Sequence, residues 1–158
     1  MIRALVITVS NRASAGVYAD KSGPLLASLL SDAGCAVTGP VVVPDGPPVE
    51  EELRAGVARG YDVIVTTGGT GLTPQDLTPE MTAKVISREI PGIAEAIRQA
   101  NRAQVPTSVL SRGLAGQAGG TLIVNLPGSS GGVKDGVAVL APILAHAVDQ
   151  IRGGDHPR

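Results

Sequence analysis

Tyr61-Asp62-Val63-Ile64-Val65-Thr66-Thr67-Gly68-Gly69-Thr70-Gly71 decides the fold. A continuous β-branched run is followed at once by a tight glycine loop. The run does not alternate apolar with polar residues, so it suits a strand covered on both faces, as in a parallel sheet. Beyond the loop, Thr78-Pro79-Glu80 reads as a helix start, with Thr78 as N-cap and Pro79 at the first helical position. Pro91-Gly92 breaks that helix, and a further one is expected over Ile93 to Arg102.

The same order recurs on both sides of this unit. Ala4 to Val9 is an apolar run, followed by a polar loop from Ser10 to Gly16 and a helix from Ser22 to Ala33. Ala36-Val37 and Val41-Val42-Val43 read as a strand interrupted by Gly39-Pro40. The turn around Asp45 then leads to a helix opened by Pro47 and Pro48, whose first turns carry Glu50, Glu51 and Glu52 as a solvated, dipole-complementing start. Towards the C-terminus come a short strand at Ser108–Leu110, a strand at Thr121–Asn125, a second glycine loop at Gly128–Gly132 and one long helix from Val133 to Ile151. Strands alternating with helices predict an α/β fold with helices on both faces of a mostly parallel sheet. The expected organisation is a single domain over residues 1–152 with a flexible tail at 153–158.

Composition narrows the function classes. The chain has 158 residues, 43% hydrophobic and 17% charged, which is globular and not disordered. The net charge of −1 gives no basic field for nucleic acid. Tyr18 and Tyr61 are the only aromatic side chains, too few for a base-stacking platform. No stretch reaches the ~18 apolar residues of a membrane helix. Cys35 is the sole cysteine, so neither a disulfide nor a structural zinc site can form within the chain. It reads as a small core residue, and the expected location is a reducing cytoplasm.

Three polar or glycine-rich loops fall at the predicted carboxyl edge of the sheet, where such folds bind ligands. Backbone N–H groups in a strand–glycine loop–helix unit can hold an anion, and Thr67 and Thr70 add hydroxyls. Standard nucleotide motifs do not fit. Residues 69–74 lack the third glycine of the dinucleotide fingerprint, and residues 128–134 lack the Gly-Lys-Ser/Thr ending of a P-loop. Asp45 taken alone reads as a turn residue. Asp76 lies between the glycine loop and the next helix; it either caps that helix or meets a cation, since a bare carboxylate would repel a phosphate. Ser111-Arg112 could contact an anion, with a surface arginine as the default reading. His146 lies in a mostly apolar helix and His156 in the tail, which leaves no Ser–His–Asp arrangement. Lys134 reads as a solvated helix lysine.

The block from Thr66 through Gly68-Gly69-Thr70-Gly71-Leu72-Thr73-Pro74-Gln75-Asp76 to Thr78-Pro79-Glu80 resembles the signature of the MogA/MoaB family of molybdenum cofactor biosynthesis. Residues 8–16 with 20–24, Val43-Pro44-Asp45, Leu110-Ser111-Arg112 and Asn125-Leu126-Pro127-Gly128 are similar to further family blocks, in order. The resemblance runs from about Ile2 to Ile151. It implies a three-layer, Rossmann-like sandwich and, in catalytic members, adenylylation of molybdopterin by Mg-ATP with release of pyrophosphate. Asp45 and Asp76 match the aspartates regarded as essential there, and would hold Mg²⁺ against the triphosphate. Gly68, Gly69, Thr70 and Gly71, with Thr67, match the phosphate loop. Ser111 matches a serine of the pterin site, and Asn125, Pro127 and Gly128 match a loop near the nucleotide. A homotrimer and a molybdate-insertion partner are further implications, and a non-catalytic pterin- or nucleotide-binding scaffold is the alternative. Many members have Ser-Asp where this chain has Ser10-Asn11, which removes one charge at position 11.

Overall fold

The computed structural model describes residues 1–154. Along the chain lie β1 (Ile2–Val9), α1 (Asn11–Ser14), α2 (Ser22–Asp32), β2 (Cys35–Val43), α3 (Pro47–Ala58), β3 (Val63–Thr67), α4 (Thr78–Ala83), β4 (Arg88–Glu89), α5 (Pro91–Gln99), a 3-10 turn (Pro106–Leu110), β5 (Ala115–Ala118), β6 (Thr121–Leu126), α6 (Ser130–Leu140) and α7 (Leu144–Ile151). One sheet has the order β2-β1-β3-β6-β5-β4. β1 pairs in parallel with β2 and β3, and β3 with β6; β5 runs antiparallel to β6 and to β4.

The unalternated strands are buried on both faces, and their period of two divides the core. Ala4 and Val6 of β1, Val63 and Val65 of β3 and Leu122 and Val124 of β6 face one side, against Leu26 and Leu30 of α2, Ile97 of α5, Val133 and Leu140 of α6 and Leu144 of α7. Leu5, Ile7, Ile64 and Ile123 face the other, against Val49 and Leu53 of α3 and Met81 of α4. The α/β three-layer expectation therefore holds. Cys35 is buried in the first of these cores, where burial and then the Asp62 charge push its thiol pKa up, away from reactivity.

Register aligns the carboxyl ends. Thr8 stands opposite Val42 and Thr67, and Thr67 opposite Leu126. The segments after β1, β2, β3 and β6 therefore leave one edge together. β1 lies between β2 and β3, so the chain's direction of travel across the sheet reverses there, the usual place for a ligand crevice.

Several local expectations need correction. The stretch Ser108–Leu110 is not a strand: it lies in the 3-10 turn after Pro106, with Val109 and Leu110 exposed. The short antiparallel strands β4 and β5 went unread because Arg-Glu and Ala-Gly-Gln-Ala carry little strand preference. The helix opened at residue 78 ends at Ala83, and Pro91 starts α5 instead of only ending its predecessor. The final helix is two: Pro142 cannot continue the hydrogen-bond ladder, and α6 and α7 meet at a 62° bend. The Gly39-Pro40 interruption is spanned by one strand, with the register shift in β1 opposite it. The Ser10–Gly16 loop contains α1, capped where Ser10 Oγ accepts from Ala13 N–H at 3.1 Å. Residues 155–158 of the expected tail, His156 included, lie outside the described residues; His146 is exposed on α7. Among the described residues no single helix is long and apolar enough to cross a membrane.

The sheet's opposite end is tied by a charge. Asp62 accepts from the Arg3 N–H at 2.8 Å and pairs with Arg152 beyond α7. Burial alone would raise its pKa; the Arg3 amide, the Arg152 hydrogen bond and charge, and the Arg3 charge outweigh it, and the value is lowered. Its stabilisation is therefore complete above the unfolded carboxylate pKa and lost as pH falls through the folded one. Asp62→Asn, which keeps an acceptor but not the charge, should cost about 1–2 kcal/mol at neutral pH, discounted because Arg152 is half exposed. Urea unfolding followed from pH 7 to pH 3 should show a shallower acid loss in the variant.

Candidate active site

The loop after β3 is anchored through its carbonyls. Thr78 N–H donates to Gly69 O at 3.1 Å, and Arg112 N–H to Thr70 O at 2.9 Å. The Arg112 guanidinium donates to Gly71 O at 2.9 Å and to Asp76 O at 2.7 Å, then forks onto Glu80 at 2.7 and 3.1 Å. Glu80 is held below its ordinary pKa by that Arg112 hydrogen bond, more than offsetting the desolvation that opposes it. Among the described residues, none of the N–H groups of Gly69, Thr70 and Gly71 finds an acceptor. Three bonded carbonyls and three N–H groups without acceptors make a donor set of the kind that holds phosphate oxygens. Arg112 is thus a strut of the loop, neither a plain surface arginine nor a group left open to an anion.

Two aspartates lie against this loop. Asp45 follows β2. Its N–H is held by Asn11 Oδ1 at 2.9 Å, and its Oδ1 accepts from Gly46 N–H at 2.8 Å and Leu77 N–H at 3.1 Å. Asp45 Oδ2 is 2.6 Å from the point where a Cβ on Gly69 would stand. Asp76 Oδ2 accepts from Thr73 N–H at 3.0 Å and Thr73 Oγ1 at 2.8 Å, and lies 2.8 Å from the corresponding point on Gly71. Glycine at 69, where φ is +70°, and at 71 thus lets the loop close over a carboxylate at each place. Asp45 has its pKa raised, first by burial; the Gly46 and Leu77 N–H bonds oppose this, and the charges of Asp76 and Glu80 add to it. Asp76 closes a turn onto Thr73 and does not cap α4. Thr78 is not the cap either: Leu77 holds that position, and the Thr78 hydroxyl is buried. Asn11 fills its role through a side-chain oxygen that an aspartate also possesses, without adding a third negative group beside Asp45.

The loop separates two cavities. The larger, about 440 Å³, runs from Thr70, Gly71 and Leu72 past Ser111 to Pro127 and the first turn of α6, with Ile97, Val105 and Leu110 as an apolar wall. The smaller, about 380 Å³, sits at the reversal point between β1 and β3 and is lined by Thr8, Ser10, Tyr18, Asp20, Lys21, Thr67, Gly68 and Gly128, among others. Thr67 lines it, although its hydroxyl hydrogen is given to Pro127 O at 2.8 Å. Thr67, Gly68, Thr70, Gly71, Ser111, Pro127 and Gly128 therefore all reach a cavity. Gly69, Asp45 and Asp76 are in neither lining; the Asp45 carboxylate lies against Gly69 and the Asp76 carboxylate against Gly71.

Asn125 stands apart. It is buried, its Nδ2 donates to Thr66 and Thr82 hydroxyls at 3.0 Å each, and its Oδ1 accepts from Leu114 N–H at 3.1 Å. It braces β6 to β3 and α4 behind the loops. Reading the sequence missed the apolar wall from α5 and the 3-10 turn, because that wall is assembled from segments distant in the chain. It also passed over Lys21, the one cationic side chain in the smaller cavity's lining.

The sequence profile described as a probable molybdopterin binding domain matches residues 5–146. The chain belongs to the MogA/MoaB family. It is 52% identical to the molybdopterin biosynthesis Mog protein of Mycobacterium ulcerans, with a TM-score of 0.91 over 96% of this chain and 99% of that one. It is 36% identical to the molybdopterin adenylyltransferase of Helicobacter pylori strain J99, covering 94% of this chain and 86% of that protein. It is 40% identical to a molybdenum cofactor biosynthesis bifunctional protein of Synechococcus elongatus, over 97% of this chain and 48% of that protein. The chain thus spans about half the length of the bifunctional curated relatives it matches.

Proposed function

We propose that this chain is a molybdopterin adenylyltransferase of molybdenum cofactor biosynthesis, using ATP with Mg²⁺. The observation that carries the reading is the unpartnered N–H set of Gly69, Thr70 and Gly71 with the carboxylates of Asp45 and Asp76 against the same loop. The Helicobacter pylori relative's name supplies the reaction class.

The donor set suits the ion. Mg²⁺ is commonly held by one or two carboxylates, with phosphate oxygens and water completing the octahedron. Among the described residues no cluster of three or more ligating side chains exists, so Asp45 and Asp76 would be the protein's share. The negative charges of Asp76 and Glu80 already press on Asp45, and a cation would relieve them. When bound, the ion would neutralise charge on the phosphates and on the departing pyrophosphate.

The residues divide the remaining work. The N–H groups of Gly69–Gly71 would bind phosphate oxygens, and the Pro127–Gly128 segment and the first turn of α6 would close the opposite side. The larger, apolar cavity with Ser111 would take the pterin, and the smaller, polar one the nucleotide. A terminal phosphate oxygen of molybdopterin attacks the α-phosphorus of ATP. The bond from that phosphorus to the pyrophosphate oxygen breaks, and pyrophosphate leaves. No general base is needed, because the attacking oxygen is already anionic. Catalysis then rests on alignment and electrostatics.

The test mixes purified protein, molybdopterin, ATP and Mg²⁺, and follows adenylylated molybdopterin by mass and chromatography. Product formation supports the reading. Pterin binding without product would instead mark a binding-only member. The proposed protein acts in a reducing cytoplasm, as a domain over residues 1–152 that assembles as a homotrimer and passes its product to a molybdate-insertion partner.

A further inference from the structure

Thr78, the first residue of α4, is fully buried, and its Oγ1 has no hydrogen-bond partner among the described residues. Buried hydroxyls almost always have one. The oxygen is aimed at a definite place. A Cβ on Gly69 would meet both Thr78 Oγ1 and Asp45 Oδ2, the latter at 2.6 Å, and the two oxygens share no hydrogen bond in this structure.

Asp45 is held everywhere else. Its N–H is taken by Asn11, and its Oδ1 by the Gly46 and Leu77 amides. Oδ2 is the atom for which the described residues supply no donor. A donor without an acceptor and an acceptor without a donor therefore face the same point under the loop. The Thr78 backbone cannot drift from it, because its N–H is bonded to Gly69 O.

We propose that Thr78 is a positioning residue: its hydroxyl, unbonded in this structure, turns to donate to Asp45 Oδ2 when a divalent cation on the nucleotide engages that carboxylate, and so sets the direction of the oxygen's remaining lone pair. A carboxylate then held through both oxygens would lower the ordering cost of the cation site. This explains why a hydroxyl occupies a fully buried position beneath the loop, although it is neither the helix cap nor part of the apolar core. The inference rests on the adenylyl-transfer reading.

The experiment measures Mn²⁺ binding by EPR to the full chain with α,β-methylene-ATP, alongside steady-state adenylylation, for wild type, Thr78→Val, Thr78→Ala, Thr78→Ser and Asp45→Ala. Thr78→Val and Thr78→Ala should weaken Mn²⁺ by about tenfold and lower kcat similarly. The KM for molybdopterin should stay unchanged, and Thr78→Ser should lie within about threefold of wild type, since it restores the same donor. Should Thr78→Val fail to fold, the Ala and Ser pair decides in the same way. Wild-type Mn²⁺ binding in the Val and Ala variants would overturn the inference while leaving the reaction standing. So would a Ser variant as impaired as Val, which would mean packing alone. A wild type that neither binds Mn²⁺ with the nucleotide nor forms product would overturn the adenylyl-transfer reading itself, and this inference with it.

Discussion

Asp76→Asn and Asp45→Asn should each fold as wild type does and lose adenylyl transfer by about 10²–10³-fold. The structural cost is small, because each carboxylate's protein contacts can survive the change. Asp76 Oδ2 accepts from Thr73 N–H and Oγ1, and an amide oxygen can accept both. Asp45 Oδ1 accepts from the Gly46 and Leu77 amides, which an asparagine oxygen can also do. What disappears is charge, beside the loop whose N–H groups have no acceptor among the described residues. Asp45→Asn should even be slightly stabilising, since burial and the neighbouring Asp76 and Glu80 charges disfavour its ionised form. Activity is read as product by mass, and folding as the thermal midpoint. A variant with a wild-type midpoint and wild-type turnover would sink the role assigned to that aspartate.

The layout of the fold was legible because burial and chain direction leave marks in sequence. β1, β3 and β6 are unalternated apolar runs, and each is covered on both faces by residues of alternating parity. The glycine loop was legible as a loop, and Asp76 as an oddity beside an expected anion site. The roles of single side chains were not legible, since they depend on where a loop's carbonyls point. Arg112 read by default as a surface arginine, with an anion contact as the other option, and is instead bonded to Gly71 O, Asp76 O and Glu80. Thr78 looked like a cap, because a threonine before proline often is one, yet its hydroxyl is buried against Gly69 with no hydrogen-bond partner among the described residues. Asn125 was legible as the end of a strand, but its part as a buried brace behind the loops was not. The bend at Pro142 was there to be read. The apolar residues continuing at helical spacing on both sides concealed it.

Gly69→Val should be the most damaging single change in the loop, and for a different reason than blocked access to phosphate. The added Cβ does not project into either cavity. It points inward, onto Thr78 Oγ1, 2.6 Å from Asp45 Oδ2 and 3.1 Å from Thr78 Cβ. Thr78 cannot retreat, because it is fully buried at the start of α4 with Pro79, Met81 and Thr82 also buried behind it. Asp45 cannot retreat without releasing the Leu77 amide. The backbone adds its own strain, since φ at residue 69 is +70° and β-branched side chains avoid that region. Together the overlap and the strained backbone should cost about 2–4 kcal/mol of stability and displace the carboxylate, with activity falling by at least about 10²-fold. Gly69→Ala separates the two explanations. Its single methyl group is too small to obstruct a phosphate from outside, but it carries the same inward Cβ. If Ala is nearly as inactive as Val and both lower the thermal midpoint, the damage is the clash with Thr78 and Asp45. An alanine variant with wild-type turnover and stability would mean that the loop shifts freely, and the packing of Gly69 over Asp45 would then not be what holds the site together.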